Sequence, residues 1–177
     1  MRGQWRELLQ LLLRDGLIVA AVLGLWTWQA ADPPAGTTRV ALAVATALAT
    51  TLVGYLAHEW GHLLGALAAR SRFELPRSPF ESPFLFKFDR AGNSRPQFFA
   101  MTLGGFAASI LTVAVLLLAL PRDLLASWIA LALVAVGVVA TLVIEVPEFW
   151  RVWRGGPLPD GAAFVSRHAG ESRHPAS

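Results

Sequence analysis

The sequence predicts an all-α membrane protein with four transmembrane helices and a short β-hairpin-like loop between helices two and three. Of its 177 residues, 55% are hydrophobic and only 15% are charged, whereas a soluble domain carries about 25% charged residues. The apolar residues also form unbroken blocks, and about 20 helical residues suffice to cross a bilayer core. These observations exclude a soluble globular domain and a disordered chain, since both expose far more polar surface.

Four apolar stretches meet the length requirement for a transmembrane helix. They cover about residues 16–31, 40–69, 98–120 and 124–146. We expect the first stretch to be retained as a helix, because bulky residues occupy the positions where a signal-peptide cleavage site needs small ones. Residues 1–154 are therefore expected to form one four-helix transmembrane domain, followed by a polar C-terminal tail over residues 155–177.

The connection between the second and third spans contains a β-strand pattern. Residues 84–89 alternate between apolar and polar side chains with a period of two, which is typical of a strand. Residues 90–93 read as a turn, and a return strand over residues 94–98 would complete a hairpin. We expect this hairpin to lie beside one face of the membrane.

Basic residues are divided unequally between the two ends of the predicted helices. Thirteen of the 15 lysines and arginines belong to the N-terminus, the connection between spans two and three, or the C-terminal tail. Only Arg39 and Arg122 belong to the opposite side. Because basic residues favour the cytoplasmic side, both termini are expected to be cytoplasmic. The net charge of +3 then reflects membrane topology and contact with the lipid bilayer, and we expect no nucleic-acid partner.

The second span contains three ionisable residues within the string His58-Glu59-Trp60-Gly61-His62. A charge at mid-bilayer costs about 2.5–3.5 kcal/mol on insertion scales, so such residues indicate function. This H-E-x-x-H pattern places two imidazoles on one helix face, where both can bind one Zn²⁺. The glutamate between them is positioned to act as a general base towards water.

A structural explanation of these residues competes with the metal site. Intramembrane histidines also hydrogen-bond between helices and stabilise a bundle. Three ionisable residues at ligand spacing in an otherwise uncharged segment favour metal binding. Since the chain contains no cysteine, thiol catalysis and cysteine-ligated metals are excluded.

A zinc site that keeps one position open takes three protein ligands. The second span ends near Arg70, so His62 lies about 12 Å inside that face at 1.5 Å per residue. Glu145 precedes Arg151 on the fourth span by six residues, which places it about 9 Å inside the same face. Glu145 is therefore a candidate third ligand, whereas Glu148 lies nearer to water and is expected to form an interfacial salt bridge.

A hydrophobic H-E-x-x-H helix followed two spans later by a carboxylate resembles the site-2 protease family of intramembrane zinc metalloproteases (peptidase family M50). The resemblance covers about residues 40–161 and leaves the first span outside. It implies that His58 and His62 bind zinc, that Glu59 acts as the general base, and that an aspartate completes the site. It also implies that a β-element between these helices handles the substrate.

The resemblance provides a second candidate for the third ligand. The family's aspartate directly precedes a glycine, and Asp160-Gly161 matches that pattern. Asp160 follows the fourth span, so its tail would have to fold back to reach the histidines. Glu145 has the matching depth but lacks the glycine. The sequence leaves both residues as candidates, with depth favouring Glu145.

Two functions from different classes are compatible with these residues. The first is an enzyme, an intramembrane zinc metalloprotease that hydrolyses peptide bonds of a membrane protein substrate. The alternative is a catalytically inactive membrane protein that a metal stabilises and that acts as a structural or regulatory partner. The two differ in their need for Glu59, because only hydrolysis requires a general base at that position.

Overall fold

The computed structural model of the protein describes residues 4–31 and 35–159, and this part of the chain forms four long helices. They are α1 (Trp5–Ala31), α2 (Gly36–Ala68), α3 (Arg95–Ala119) and α4 (Leu125–Trp153). Each is long and apolar enough to cross a membrane. The fold class predicted from the sequence is thereby confirmed, and the four helices indicate a multi-pass membrane protein.

Helices α1 and α4 extend furthest beyond their predicted apolar spans. Helix α1 begins at Trp5, well before the first predicted span at about residue 16. Helix α4 continues through Pro147 to Trp153, and transmembrane helices tolerate such a proline. The extension places Glu148 one turn before Arg151, and Arg151 Nη2 lies 2.6 Å from Glu148 Oε2. The salt bridge expected for Glu148 is therefore present.

Helix α2 is the centre of the bundle, and both α3 and α4 pack mainly against it. Glycines bring the α2 and α3 backbones close together. A Cβ atom added to Gly61 would lie only 2.5 Å from the Ala108 Cβ. Gly104 on α3 faces the same crossing from the other side. Small residues at such crossings let membrane helices pack through their backbones.

Helix α1 is attached to α2 by buried polar side chains. The indole N–H of Trp60 donates to Asp15 Oδ2 at 2.8 Å, and Gln29 Nε2 donates to Thr46 Oγ1 at 2.6 Å. Hydrogen bonds between membrane helices contribute about 0.6–2 kcal/mol each. Trp60 is therefore a packing residue within the H-E-x-x-H string, and its bond to Asp15 links α1 to the helix that carries the histidines.

The loop between α2 and α3 contains a two-stranded antiparallel sheet, but its pairing differs from the expected hairpin. Strand β1 (Phe73–Glu74) pairs with β2 (Lys87–Phe88), with Phe73 opposite Phe88. The return strand predicted over residues 94–98 is wrong. Ser94 instead caps α3, since its backbone N–H donates to Gln97 Oε1 at 2.8 Å and the reciprocal cap is also present. A capping box followed by a proline in the first turn favours a helix start over a strand.

Several contacts place this loop at the same end of the bundle as the start of α1 and the end of α4. The Arg14 guanidinium donates to the carbonyl of Pro79 in the loop. Arg95 Nη2 donates to the carbonyl of Gly155, just after α4, at 2.5 Å. Leu85 of the loop is buried in an apolar cluster that includes Val152 of α4. The described parts of the basic segments that the sequence assigns to one membrane face therefore lie together.

Candidate metal centre

Three ionisable side chains from two helices converge inside the bundle. His58 Nε2 lies 2.9 Å from His62 Nε2 and 3.0 Å from Glu145 Oε1. His62 Nε2 lies 3.4 Å from Glu145 Oε2. His58 and Glu145 are buried, and the His62 side chain is only 11% exposed. The histidines belong to consecutive turns of α2 and the carboxylate to α4, so the group connects two helices.

Backbone carbonyls of α3 orient both imidazoles. His58 Nδ1 lies 3.0 Å from the carbonyl oxygen of Gly105, and His62 Nδ1 lies 3.0 Å from that of Met101. A carbonyl oxygen can only accept, so each Nδ1 carries the proton and donates. In a neutral imidazole the Nε2 atom is then left as an acceptor with a free lone pair. Metal-binding histidines are oriented in the same way by partners of their other nitrogen.

The donor set fits a metal cation, because acceptor atoms face one another without a donor between them. Both Nε2 atoms lie within 3.4 Å of the Glu145 carboxylate, and Glu145 Oε2 is buried without a hydrogen bond from any described residue. Ligand atoms around tetrahedral Zn²⁺ lie about 3.3 Å apart when the bonds are about 2.0–2.1 Å long. The separations of 2.9 to 3.4 Å bracket that spacing. His58, His62 and Glu145 thus form a candidate metal-binding triad.

Of the two candidate third ligands, the structure brings Glu145 to the histidines. Asp160 lies outside the described residues. Among residues 4–31 and 35–159, no fourth histidine or carboxylate joins the triad. Three protein ligands with one position left open are typical of catalytic zinc sites, whereas structural sites use four.

Glu59 lies beside the triad without belonging to it. Its side chain is buried, and its Oε2 accepts a hydrogen bond from the backbone N–H of Leu85 at 3.0 Å. One turn earlier on α2, the Tyr55 hydroxyl donates to the carbonyl of Pro83 at 2.7 Å. The loop between α2 and α3 is therefore fastened to α2 at the glutamate of the H-E-x-x-H string.

Several residues shape the site through contacts that the sequence did not indicate. They are Gly105 and Met101, whose carbonyls orient the histidines, Ser109, whose hydroxyl lies 2.9 Å from His58 Nδ1, and Leu85. Small residues are frequent over residues 104–109 of α3, and such a run favours close packing of membrane helices. It did not indicate that the backbone of α3 would contact the imidazoles.

Gly105 provides a test of how tightly the triad is packed. A Cβ atom at this position would overlap with the His62 ring, including Nε2 at 2.5 Å. We expect Gly105→Ala to displace the ring and to lower the affinity for divalent metal by about 10–100-fold, the range found when the orientation of a ligand is disturbed. Competition with a chromophoric chelator measures this affinity.

Gly24→Ala is the matched control, because a Cβ on Gly24 in α1 would meet no atom within 4 Å. Its metal affinity should equal that of the wild type. Unchanged affinity in Gly105→Ala would contradict the packing of His62 against α3.

Comparison with protein-family models, with curated proteins and with solved structures finds no match to this chain. The class of protein that the fold and the triad define is a multi-pass membrane protein with a candidate metal centre between two helices.

Proposed function

We propose that this protein is an intramembrane zinc metalloprotease that hydrolyses peptide bonds of membrane-embedded substrates, similar to the site-2 protease family. The observation that carries the proposal is the convergence of two imidazole Nε2 atoms and the Glu145 carboxylate beside Glu59, inside four apolar helices. Metal-dependent hydrolysis inside a bilayer needs a metal site, a proton acceptor and shelter from lipid, and this arrangement offers all three.

Zinc is the metal we assign to the triad. Two histidines and one carboxylate with an open position also suit non-haem iron. The glutamate between the two histidines favours zinc, because this pattern on a helix is typical of hydrolytic zinc sites. A bound zinc ion supplies Lewis-acid polarisation of a peptide carbonyl and of a water molecule.

The protein's own residues have distinct roles in the proposed reaction. The α3 carbonyls hold His58 and His62 in one tautomer, so that both Nε2 atoms remain available as ligands. Glu59 accepts a proton from the attacking water and delivers it to the leaving amine as the peptide C–N bond breaks. The Leu85 N–H orients the Glu59 carboxylate for both transfers.

Cleavage in proteoliposomes tests the proposal directly. The purified protein is reconstituted with a panel of synthetic transmembrane peptides, some containing a helix-destabilising Asn-Pro or Gly-Pro pair, and fragments are identified by mass spectrometry. We expect cleavage of the destabilised peptides, because a helical carbonyl is shielded by its hydrogen bond. A zinc chelator should stop cleavage, and stoichiometric zinc should restore it. Cleavage that persists in chelator, or no cleavage of any peptide, would contradict the proposal.

We further propose that both termini and the loop between α2 and α3 are cytoplasmic. Because the chain has no cysteine, single cysteines report topology without background. Ala91→Cys in the loop and Asp123→Cys between α3 and α4 are both at exposed positions. A membrane-impermeant maleimide should label Asp123→Cys in intact cells and Ala91→Cys only after permeabilisation. The reverse pattern would contradict this orientation.

A further inference from the structure

A cavity of about 90 Å³ lies between α2, α3 and α4, directly beside the triad. It is lined by His58 and Gly54 of α2, by Thr112 of α3, and by Val134 and Thr141 of α4. It exists because α3 and α4 both pack against α2 and contact each other little. Because Gly54 has no side chain, the space next to it in this cavity remains unfilled.

The cavity suits an apolar occupant, because its lining is mostly apolar and three of its hydroxyl groups are already engaged. The Thr51 hydroxyl donates to the Ala47 carbonyl at 2.9 Å. The Tyr55 hydroxyl is bonded to the loop, and the Ser109 hydroxyl lies within hydrogen-bond distance of His58 Nδ1. Because these hydroxyls are engaged, the surface available to an occupant consists mainly of methyl and methylene groups, including those of valine side chains. A charged side chain would be desolvated there without an acidic or basic side chain to pair with among the lining residues other than His58, at a substantial free-energy cost.

The volume limits the size of the occupant. An apolar cavity of about 150 Å³ holds a benzene molecule, and one liquid water occupies about 30 Å³. A cavity of about 90 Å³ therefore accepts a branched side chain of three or four carbons and excludes an aromatic ring.

The cavity adjoins the triad, where the scissile peptide bond would bind in the proposed reaction. His58 is shared by the triad and the cavity wall. Thr141, also in the wall, precedes Glu145 by one turn of α4. Neighbouring residues of an extended peptide are 3.8 Å apart at their Cα atoms. A peptide carbonyl held at the triad would thus bring the side chain of an adjacent residue within reach of the cavity.

We propose that this cavity is the specificity pocket of the enzyme and binds the side chain of valine, leucine or isoleucine next to the scissile bond. The inference rests on the proposed protease function and adds the substrate class to it. We assign the occupant to the substrate rather than to a lipid chain because His58 of the triad forms part of the cavity wall.

Two substitutions with opposite effects on cavity size test this assignment. A Cβ on Gly54 would lie 3.6 Å from Thr112 Cγ2 and 3.8 Å from Val134 Cγ2, so Gly54→Ala shrinks the cavity without strain. Val134→Ala enlarges it. Peptides that differ only by Ala, Leu or Phe beside the cleaved bond are compared, with Gly24→Ala as control and thermal unfolding in detergent as a check of folding.

We expect the wild type to cleave the leucine peptide most rapidly. Gly54→Ala should lower the leucine-to-alanine rate ratio by about 10-fold, because one methylene in an apolar pocket changes specificity 10–200-fold. Val134→Ala should raise the relative rate for phenylalanine, and Gly24→Ala should change neither ratio. Ratios that stay the same in both cavity variants while cleavage continues would overturn the pocket and leave the protease function standing.

A binding measurement separates the two proposals if no peptide is cleaved. A transmembrane peptide carrying photo-leucine is irradiated with the Glu59→Gln variant, and the crosslinked residues are mapped. Crosslinks to Thr112 or Val134 that Gly54→Ala reduces would support the pocket independently of catalysis. Absence of crosslinks there, or labelling of the cavity by a photoreactive phospholipid that excess peptide does not displace, would overturn it.

Discussion

Replacing Glu59 by glutamine is expected to reduce peptide cleavage by about 10²–10⁴-fold, the usual contribution of a general acid–base group, while the metal stays bound. Glutamine has the same shape, and its side-chain oxygen can still accept the Leu85 N–H bond. Glu59 is not a member of the triad, so its charge is not needed to hold the cation. Cleavage rates in proteoliposomes and metal content after gel filtration measure the two quantities separately.

The matched control for this substitution is Glu74→Gln, an exposed glutamate of β1 that should leave both cleavage and metal content unchanged. Equal cleavage by Glu59→Gln and the wild type would defeat the assignment of the base. If cells tolerate Glu59→Gln while His58→Ala unfolds the protein, the metal connects α2 and α4 for stability. The protein would then be a structural or regulatory partner without catalytic activity.

Replacing Glu145 by glutamine is expected to lower zinc affinity by more than about 100-fold, because loss of a ligand exceeds the 10–100-fold effect of losing a ligand's supporting partner. The substitution removes the negative charge that faces both Nε2 atoms. Asp160→Asn should leave zinc affinity unchanged if Glu145 is the third ligand. Competition titration with a chelator measures both variants on one scale.

Glu148→Gln is the appropriate control, because Glu148 lies on the same helix three residues after Glu145 and pairs with Arg151. It should retain metal even if the end of α4 loses some stability. Loss of zinc in Asp160→Asn with retention in Glu145→Gln would reverse the assignment of the third ligand.

The four helices could be predicted because length and apolarity alone decide whether a segment can cross a bilayer. Their ends could not, since α1 extends to Trp5 and α4 continues through Pro147 once neighbouring helices support them. The predicted strand pairing was wrong for a different reason. Alternation predicted a strand near Phe88 but did not specify the strand with which it pairs. The expected partner over residues 94–98 is instead the start of α3, which the Ser94–Gln97 capping box stabilises.

The core of the candidate site was accessible from the sequence because helical geometry fixes the spacing of His58 and His62, and depth in the membrane selected Glu145. The contacts that orient these residues depend on how separate elements pack. The Gly105 carbonyl, the Leu85 N–H and the bond between Trp60 and Asp15 each cross from one element to another. No local pattern encodes such contacts, so only the structure reveals them.

X-ray absorption spectroscopy at the zinc K-edge of the purified protein tests the triad most directly. One zinc per chain is expected, with two imidazole nitrogens and oxygen ligands at about 2.0–2.2 Å, and with one imidazole fewer in His62→Ala. Three results would show that His58, His62 and Glu145 do not bind zinc together: a wild-type protein that retains no zinc, a wild-type spectrum without imidazole ligands, or an imidazole signal that is unchanged in His62→Ala.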